Sequence, residues 1–475
     1  MILNLLSSRR IVICLLTFLS IAYLYAARTI LSVAIVQMSK GGNEKNQTLE
    51  GKCGTSNVST TSSGDFDWDI SQQSWILSSF YYGYSAAQIP AGLLADKFGG
   101  KRMLLVNLVS TTFFTITTPL TAKMGIVFFI IIRVITGVLQ GSTYSATVVL
   151  LRNWCTSSES TLFINIAFAG TYFGVFASQI LTGYLCKANF LNGWPLSFYV
   201  FGIVGLFWVI VWVVVVSESP EYSKFMSENE TEYILKNSHK KIPGNLKTPW
   251  LKLFTSIPLL ASVAGATSFT YHFTVLVNEY PTFLSHVYGI DISSNGILSS
   301  FPYIFLVMGC FLFSYFVDIL RAKYLSIASA RKAVYLFGCL TSCITIVLIP
   351  NVGCHLFATE CLICASLFFC SAMSQSGPIV SDLFPSFSGV AYSIVDMVVS
   401  ASGIVSPYIT KLFVEGNSDS LSAWSGVFYS DIGQVIFFSF IFFIFIKSEP
   451  VSWATIVDHS NVQKEDLDEN SSDDV

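Results

Sequence analysis

Gly92-Leu93-Leu94-Ala95-Asp96-Lys97-Phe98-Gly99-Gly100-Lys101-Arg102 lies between two apolar runs, at about 72–95 and 103–122. Its glycines permit a tight turn. Its aspartate can cap or pair with a neighbouring helix end, and its basic residues hold the turn on the cytoplasmic side of a membrane. Taken alone it is a charged loop. A degraded copy, Ser314-Tyr-Phe-Val-Asp318-Ile-Leu-Arg321, follows a later run at about 293–317. Each copy falls between the second and third runs of a set of six, the pattern of a duplicated chain.

Working outward, the whole chain obeys that pattern. Apolar runs bounded by charge or turn residues fall at about 11–37, 72–95, 103–122, 126–151, 160–185 and 196–217. Six more follow at about 252–286, 293–317, 333–350, 355–381, 386–412 and 425–446. The chain has 475 residues, 53% hydrophobic and only 12% charged, with a mean hydropathy of +0.62. That charged share is about half the usual one. A crossing takes about 20 apolar residues, so twelve use roughly half of this length. The expected fold is therefore an all-α membrane protein of two six-helix halves, 1–217 and 251–447. A polar linker at 218–250 joins them, and an acidic tail at 448–475 reads as a solvated end. A soluble enzyme and a secreted disulfide scaffold are excluded, and a net charge of −3 gives no reason to expect a nucleic-acid partner. Most cysteines, the Cys361/Cys364 pair included, lie in apolar runs as small hydrophobes.

Topology follows from Lys and Arg. With both termini cytoplasmic, eighteen of the twenty-six fall inside, six outside and two within helices. The loop at 38–70 is then outside, with two glycosylation sequons at Asn46 and Asn57. The two basic residues within helices are Arg28 and Arg133. A charge at mid-bilayer costs about 2.5–3.5 kcal/mol on insertion scales, so it lines a cavity or finds a partner, and no acid lies inside the first six runs. Guanidinium forks suit carboxylate or phosphate. Arg133, Gly137, Gln140 and Tyr144 are spaced to share a helix face. Gly137 and Gly141 also make a GxxxG packing surface.

The chain resembles the major facilitator superfamily, first through the turn at Gly92, Asp96, Gly99, Lys101 and Arg102. Within it, Ile76-Leu-Ser-Ser-Phe-Tyr-Tyr-Gly-Tyr84, Gln88-Ile-Pro90 and Arg28-Thr-Ile-Leu-Ser-Val-Ala34 are similar to the organic-anion and phosphate transporter family. So are Arg133-Val-Ile-Thr-Gly-Val-Leu-Gln140-Gly141, Asn295-Gly-Ile-Leu-Ser-Ser-Phe-Pro302 and Asp382-Leu-Phe-Pro385. Sialin and the vesicular glutamate, vesicular nucleotide and sodium–phosphate transporters make up that group. The resemblance implies alternating access by a monomer in a plasma or vesicle-type organelle membrane. The first and fourth helices of each half would line the cavity, and Asp96 with its turn would latch the cytoplasmic gate. The cargo implied is a small organic or inorganic anion held by Arg28 and Arg133 along a path shaped by Gln140 and Tyr144. No cofactor is expected beyond Na+, H+ or Cl− as a coupling or modulating ion.

Departures from the family pattern bear on coupling. The sialin and vesicular glutamate branches carry a proton-coupling glutamate where this chain has Gln140, and an amide does not titrate. Membrane potential is then the expected driving force, with a sodium-coupled phosphate carrier as the alternative. Asp396 stands where relatives have asparagine and reads either as a cation or proton site or as a helix contact. His272 reads equally as a packing residue or a substrate contact. Glu279, seven residues on, reads as hydrated at the outer mouth. No nucleotide loop, metal-ligand pair or nucleophile elbow marks an enzyme. A ligand-binding receptor without turnover is the reading from another class.

Overall fold

The computed structural model describes residues 9–39, 64–155, 160–188, 193–223, 248–323, 325–375 and 387–446, with positions 190, 379–380, 383–384, 451 and 453. Asn46, Asn57, Asp382, Pro385, most of the 218–250 linker and the acidic tail from 454 lie outside the described residues.

The chain is helical throughout, with no strand among the described residues beyond one isolated bridge between Ser39 and Phe66. The first half contains α1 (Arg9–Met38), α2 (Ile70–Phe98), α3 (Gly100–Lys123), α4 (Ile126–Trp154), α5 (Ser160–Lys187) and α6 (Trp194–Val215). The second contains α7 (Ile257–Tyr288), α8 (Ile292–Lys323), α9 (Ile327–Asn351), α10 (Leu356–Cys370), α11 (Gly389–Val414) and α12 (Leu421–Phe445). Among the described residues, all but α2 are long and apolar enough to cross a membrane, eleven helices in total. α2 has the length, but Ser, Gln and Tyr fill its first half.

Local chemistry sets the boundaries. Asp69 opens α2 with a capping box, its Oδ1 accepting from Gln72 N at 2.7 Å while Gln72 Oε1 accepts from Asp69 N at 3.2 Å. The turn at Gly92–Arg102, expected as a loop, is compressed to one residue. α2 runs to Phe98, Gly99 takes φ 92°, and α3 starts at Gly100. A side chain at Gly99 would also strike the Glu218 carboxylate. That carboxylate accepts from Lys101 N at 3.1 Å, satisfying an orphan donor of α3. Trp212 Nε1 donates to Lys101 O at 3.2 Å and Trp154 Nε1 to Ser217 O at 3.0 Å, so the chain after α6 clamps this corner.

Packing separates lipid-facing from central helices. α6 exposes Ile203, Phe207 and Val214 at 65% each, which is stable only where the solvent is apolar. α7 is the most enclosed span, two-thirds of its apolar window being buried. The halves meet along α2–α11 and α5–α8. Ser85 on α2 donates to Met397 O at 2.7 Å, and the Tyr82 and Tyr408 hydroxyls are 2.8 Å apart. On the other side, the Gly183 and Gly296 backbones touch. α2 and α4 approach closely because Gly83 faces Val134 O and Gly137 faces Phe80 O. Nine described cysteines are free thiols, and Cys354, between α9 and α10, is disulfide-bonded.

Candidate functional site

The two arginines found in the sequence converge on one aromatic ring. Arg28 Cζ is 4.3 Å from the Phe80 centroid and Arg133 Cζ is 5.4 Å from it. Arg28 is further enclosed by Tyr81 at 4.2 Å, Tyr84 at 4.9 Å and Tyr25 at 5.1 Å. Helix geometry explains the cage: Phe80 and Tyr84 are one turn apart on α2 and stack at 5.5 Å. Ring faces stabilise a cation by about 0.5–2 kcal/mol per contact without neutralising its charge. Among the described residues neither arginine has a carboxylate within 4.0 Å. Arg133 Nε is buried with no hydrogen-bond partner among them.

Tyr144 joins this group through Tyr25. Its hydroxyl donates to Tyr25 Oη at 2.7 Å and lies 3.0 Å from Thr171 Oγ1. Asp396 joins from the second half, its Oδ2 accepting from the Tyr84 hydroxyl at 3.4 Å. These contacts bring together Arg28 of α1, Tyr84 of α2, Arg133 and Tyr144 of α4 and Asp396 of α11.

Two expected members lie elsewhere. α4 breaks its helix at Gly141–Ser142, and Gln140, 3% exposed, donates to Thr111 of α3 at 2.8 Å. His272 is 1% exposed, with Nδ1 2.5 Å from Asp431 Oδ2 and Nε2 2.8 Å from Ser366 Oγ. It ties α7 to α12 and α10. Asp431 escaped the sequence reading, although a lone acid inside the apolar run 425–446 was signal enough. Tyr81 and Tyr84 were quoted for resemblance, not as ligands, because only the fold brings α2 against α1, and Tyr25 was not singled out.

The reading of Glu279 as hydrated is corrected: it is 5% exposed, with Oε1 unpartnered, because α11 covers that side of α7. Another acid of the same half, Glu360 of α10, accepts from the Tyr280 hydroxyl. Gly92 and Asp96 line a cleft with Arg152 of α4 and Gly389 and Ser393 of α11, so both halves meet at the signature turn. Lys101 and Arg102 flank it at the start of α3, next to Gly99.

Residues 13–330 match the Major Facilitator Superfamily model. The chain is 30% identical to sialin of Homo sapiens over 457 residues, covering 94% of this chain and 91% of that one. It is 28% identical to the sodium-dependent phosphate transport protein 3 of Mus musculus over 399 residues, covering 83% and 82%. A bacterial homologue of the human lysosomal transporter Spinster, inward-facing and unoccupied, superimposes with a TM-score of 0.64 at 15% identity, covering 92% of this chain and 96% of that one. The chain belongs to the major facilitator superfamily. Within it, the chain falls in the organic-anion and phosphate transporter group that the motifs indicated. It is a multi-pass membrane protein whose relatives are transporters, not enzymes.

Proposed function

We propose that the chain is a secondary transporter moving a small organic or inorganic anion by alternating access. The observation behind this is the convergence of Arg28 and Arg133 on Phe80, two cations against Asp396 from the second half. Two half-buried guanidinium groups with neither in direct contact with a carboxylate are costly, and an anion recovers part of that cost when it binds. The site is walled by both halves, so a rocking motion between them changes which side reaches it. α2 serves as the twelfth span, its polar face turned to the other half rather than to lipid. Both termini are then cytoplasmic. The Lys/Arg bias supports this, as does the Cys354 disulfide, since such bonds persist on the oxidising side of a membrane.

Membrane potential supplies the driving force in this reading, because Gln140 is neutral at every pH and engaged with Thr111. A sodium-coupled phosphate carrier is the competing reading, and there Asp396 is the acid available for coupling. The test is uptake of labelled anions into proteoliposomes, with potential, sodium and pH gradients imposed in turn. Saturable accumulation of an anion supports transport. Specific binding with no accumulation under any gradient would indicate a receptor instead.

A further inference from the structure

We propose that the second half contains a binding site for a monovalent cation, Na+, between Glu279 of α7 and a stripe of hydroxyls on α11. It shares no residue with the arginine cage, so it stands independently of the anion-transport reading. Glu279 is 5% exposed, and its Oε1 is buried with no hydrogen-bond partner. Among the described residues no basic side chain pairs with it. Ser402, Ser406 and Thr410 are spaced four apart and so share one face of α11. They are 4%, 1% and 3% exposed, and each hydroxyl is likewise unpartnered. The Thr410 hydroxyl faces the Glu279 carboxyl without closing a hydrogen bond to Oε1.

These hydroxyls differ from their neighbours on the same helix. A serine or threonine inside a helix commonly donates back to a carbonyl three or four residues earlier. In α11, Ser393 does so to Gly389 O at 3.0 Å and Ser400 to Met397 O at 2.8 Å. Ser402, Ser406 and Thr410 make no such bond, so their oxygens remain free as ligands. Pro281 in α7 and Pro407 in α11 have no N–H to give, which deprives the Val277 and Gly403 carbonyls of their usual helical donor. α11 is also interrupted at Ala401, between Ser400 and Ser402, and broken transporter helices hold Na+ through freed carbonyls. An unpaired carboxylate buried in this setting is costly, and a bound cation offsets that cost. Oxygen ligands alone suit a hard cation. One carboxylate balances a single positive charge, whereas Ca2+ or Mg2+ would leave an uncompensated charge in an apolar interior.

The test reads binding rather than uptake, on the purified full-length protein in detergent. Radiolabelled Na+ should bind saturably and be displaced by unlabelled Na+. The melting temperature should rise by about 2–5 °C in NaCl over choline chloride at equal ionic strength. Glu279→Gln keeps the shape and removes the charge; it should lose Na+ binding and melt alike in both salts. In choline it should melt at or above the wild-type temperature, since a buried charge is gone, and this separates a lost site from a damaged fold. Ser406→Ala and Thr410→Val each remove one neutral ligand and should weaken Na+ binding by roughly threefold to tenfold. Glu360→Gln, a change at another acid of the same half, should leave Na+ binding unchanged. Absence of Na+ binding in the wild type, or binding retained in Glu279→Gln, overturns the proposal. Stabilisation by acid pH with none by Na+ overturns it too, being the behaviour of a carboxyl that is merely protonated.

Discussion

At the residue scale, the charged groups divide by half. The first half contributes Arg28 and Arg133, and the second contributes Glu279, Glu360, Asp396 and Asp431. Arg133→Ala and Arg28→Ala are each expected to abolish anion uptake while membrane expression is kept, measured by uptake normalised to immunoblot signal. Arg133→Lys should recover only part, since an ammonium keeps the charge but not the planar fork. His272 acts differently, as a tie between three helices. Asp431→Ala leaves Nδ1 of the buried imidazole without its partner and should cost about 1–3 kcal/mol of stability. Thermal unfolding in detergent reads that loss, and the double change His272→Phe with Asp431→Leu should recover part of it. The arginines were legible because any charge in an apolar run demands a reason. The His272–Asp431 pair was not, since its partners are 159 residues apart and helical periodicity says nothing about which helix comes alongside. Glu279 was misplaced for the same reason: depth along α7 was readable, but its cover by α11 was not.

At the scale of elements, small residues set the helix spacing. A Cβ at Gly137 would collide with Phe80 O, and one at Gly83 with Val134 O, so α2 and α4 are in backbone contact. Gly137→Val is expected to push these helices apart and move Phe80 from between the arginines. The measurable outcome is loss of monodisperse protein on size-exclusion chromatography, with uptake lost in whatever survives. Gly99→Ala meets both a positive φ and the Glu218 carboxylate. It should destabilise by about 1–3 kcal/mol, read as a lower melting temperature. The twelve helical stretches were legible because lipid requires unbroken apolar runs, although α8 ends six residues later than its run, α9 starts six earlier and α10 ends eleven earlier. The turn at Gly92–Arg102 was recognised, yet its compression to one residue was not. That compression depends on Glu218 reaching back from the end of α6 to cap α3, a contact between distant segments.

At the scale of the whole molecule, the proposed transporter places one loop outside and alternates access between two sides. Enzymatic removal of N-glycans should shift the wild-type band on a gel, and Asn46→Gln combined with Asn57→Gln should abolish the shift. A shift surviving in that double variant would contradict the topology. Energetics follow from charge. An anion crossing without a compensating cation gains about 2.3 kcal/mol per 100 mV, close to a fiftyfold concentration ratio. With Gln140 neutral where the related branches have a titrating glutamate, this electrical term is the proposed driving force. The most direct measurement is uptake into proteoliposomes under two conditions: a potential positive on the receiving side without a pH gradient, and a pH gradient alone with the potential clamped to zero. Accumulation in the first condition and none in the second is expected. Robust accumulation from the pH gradient alone would contradict potential-driven transport, and its loss in Asp396→Asn would make that residue the proton carrier.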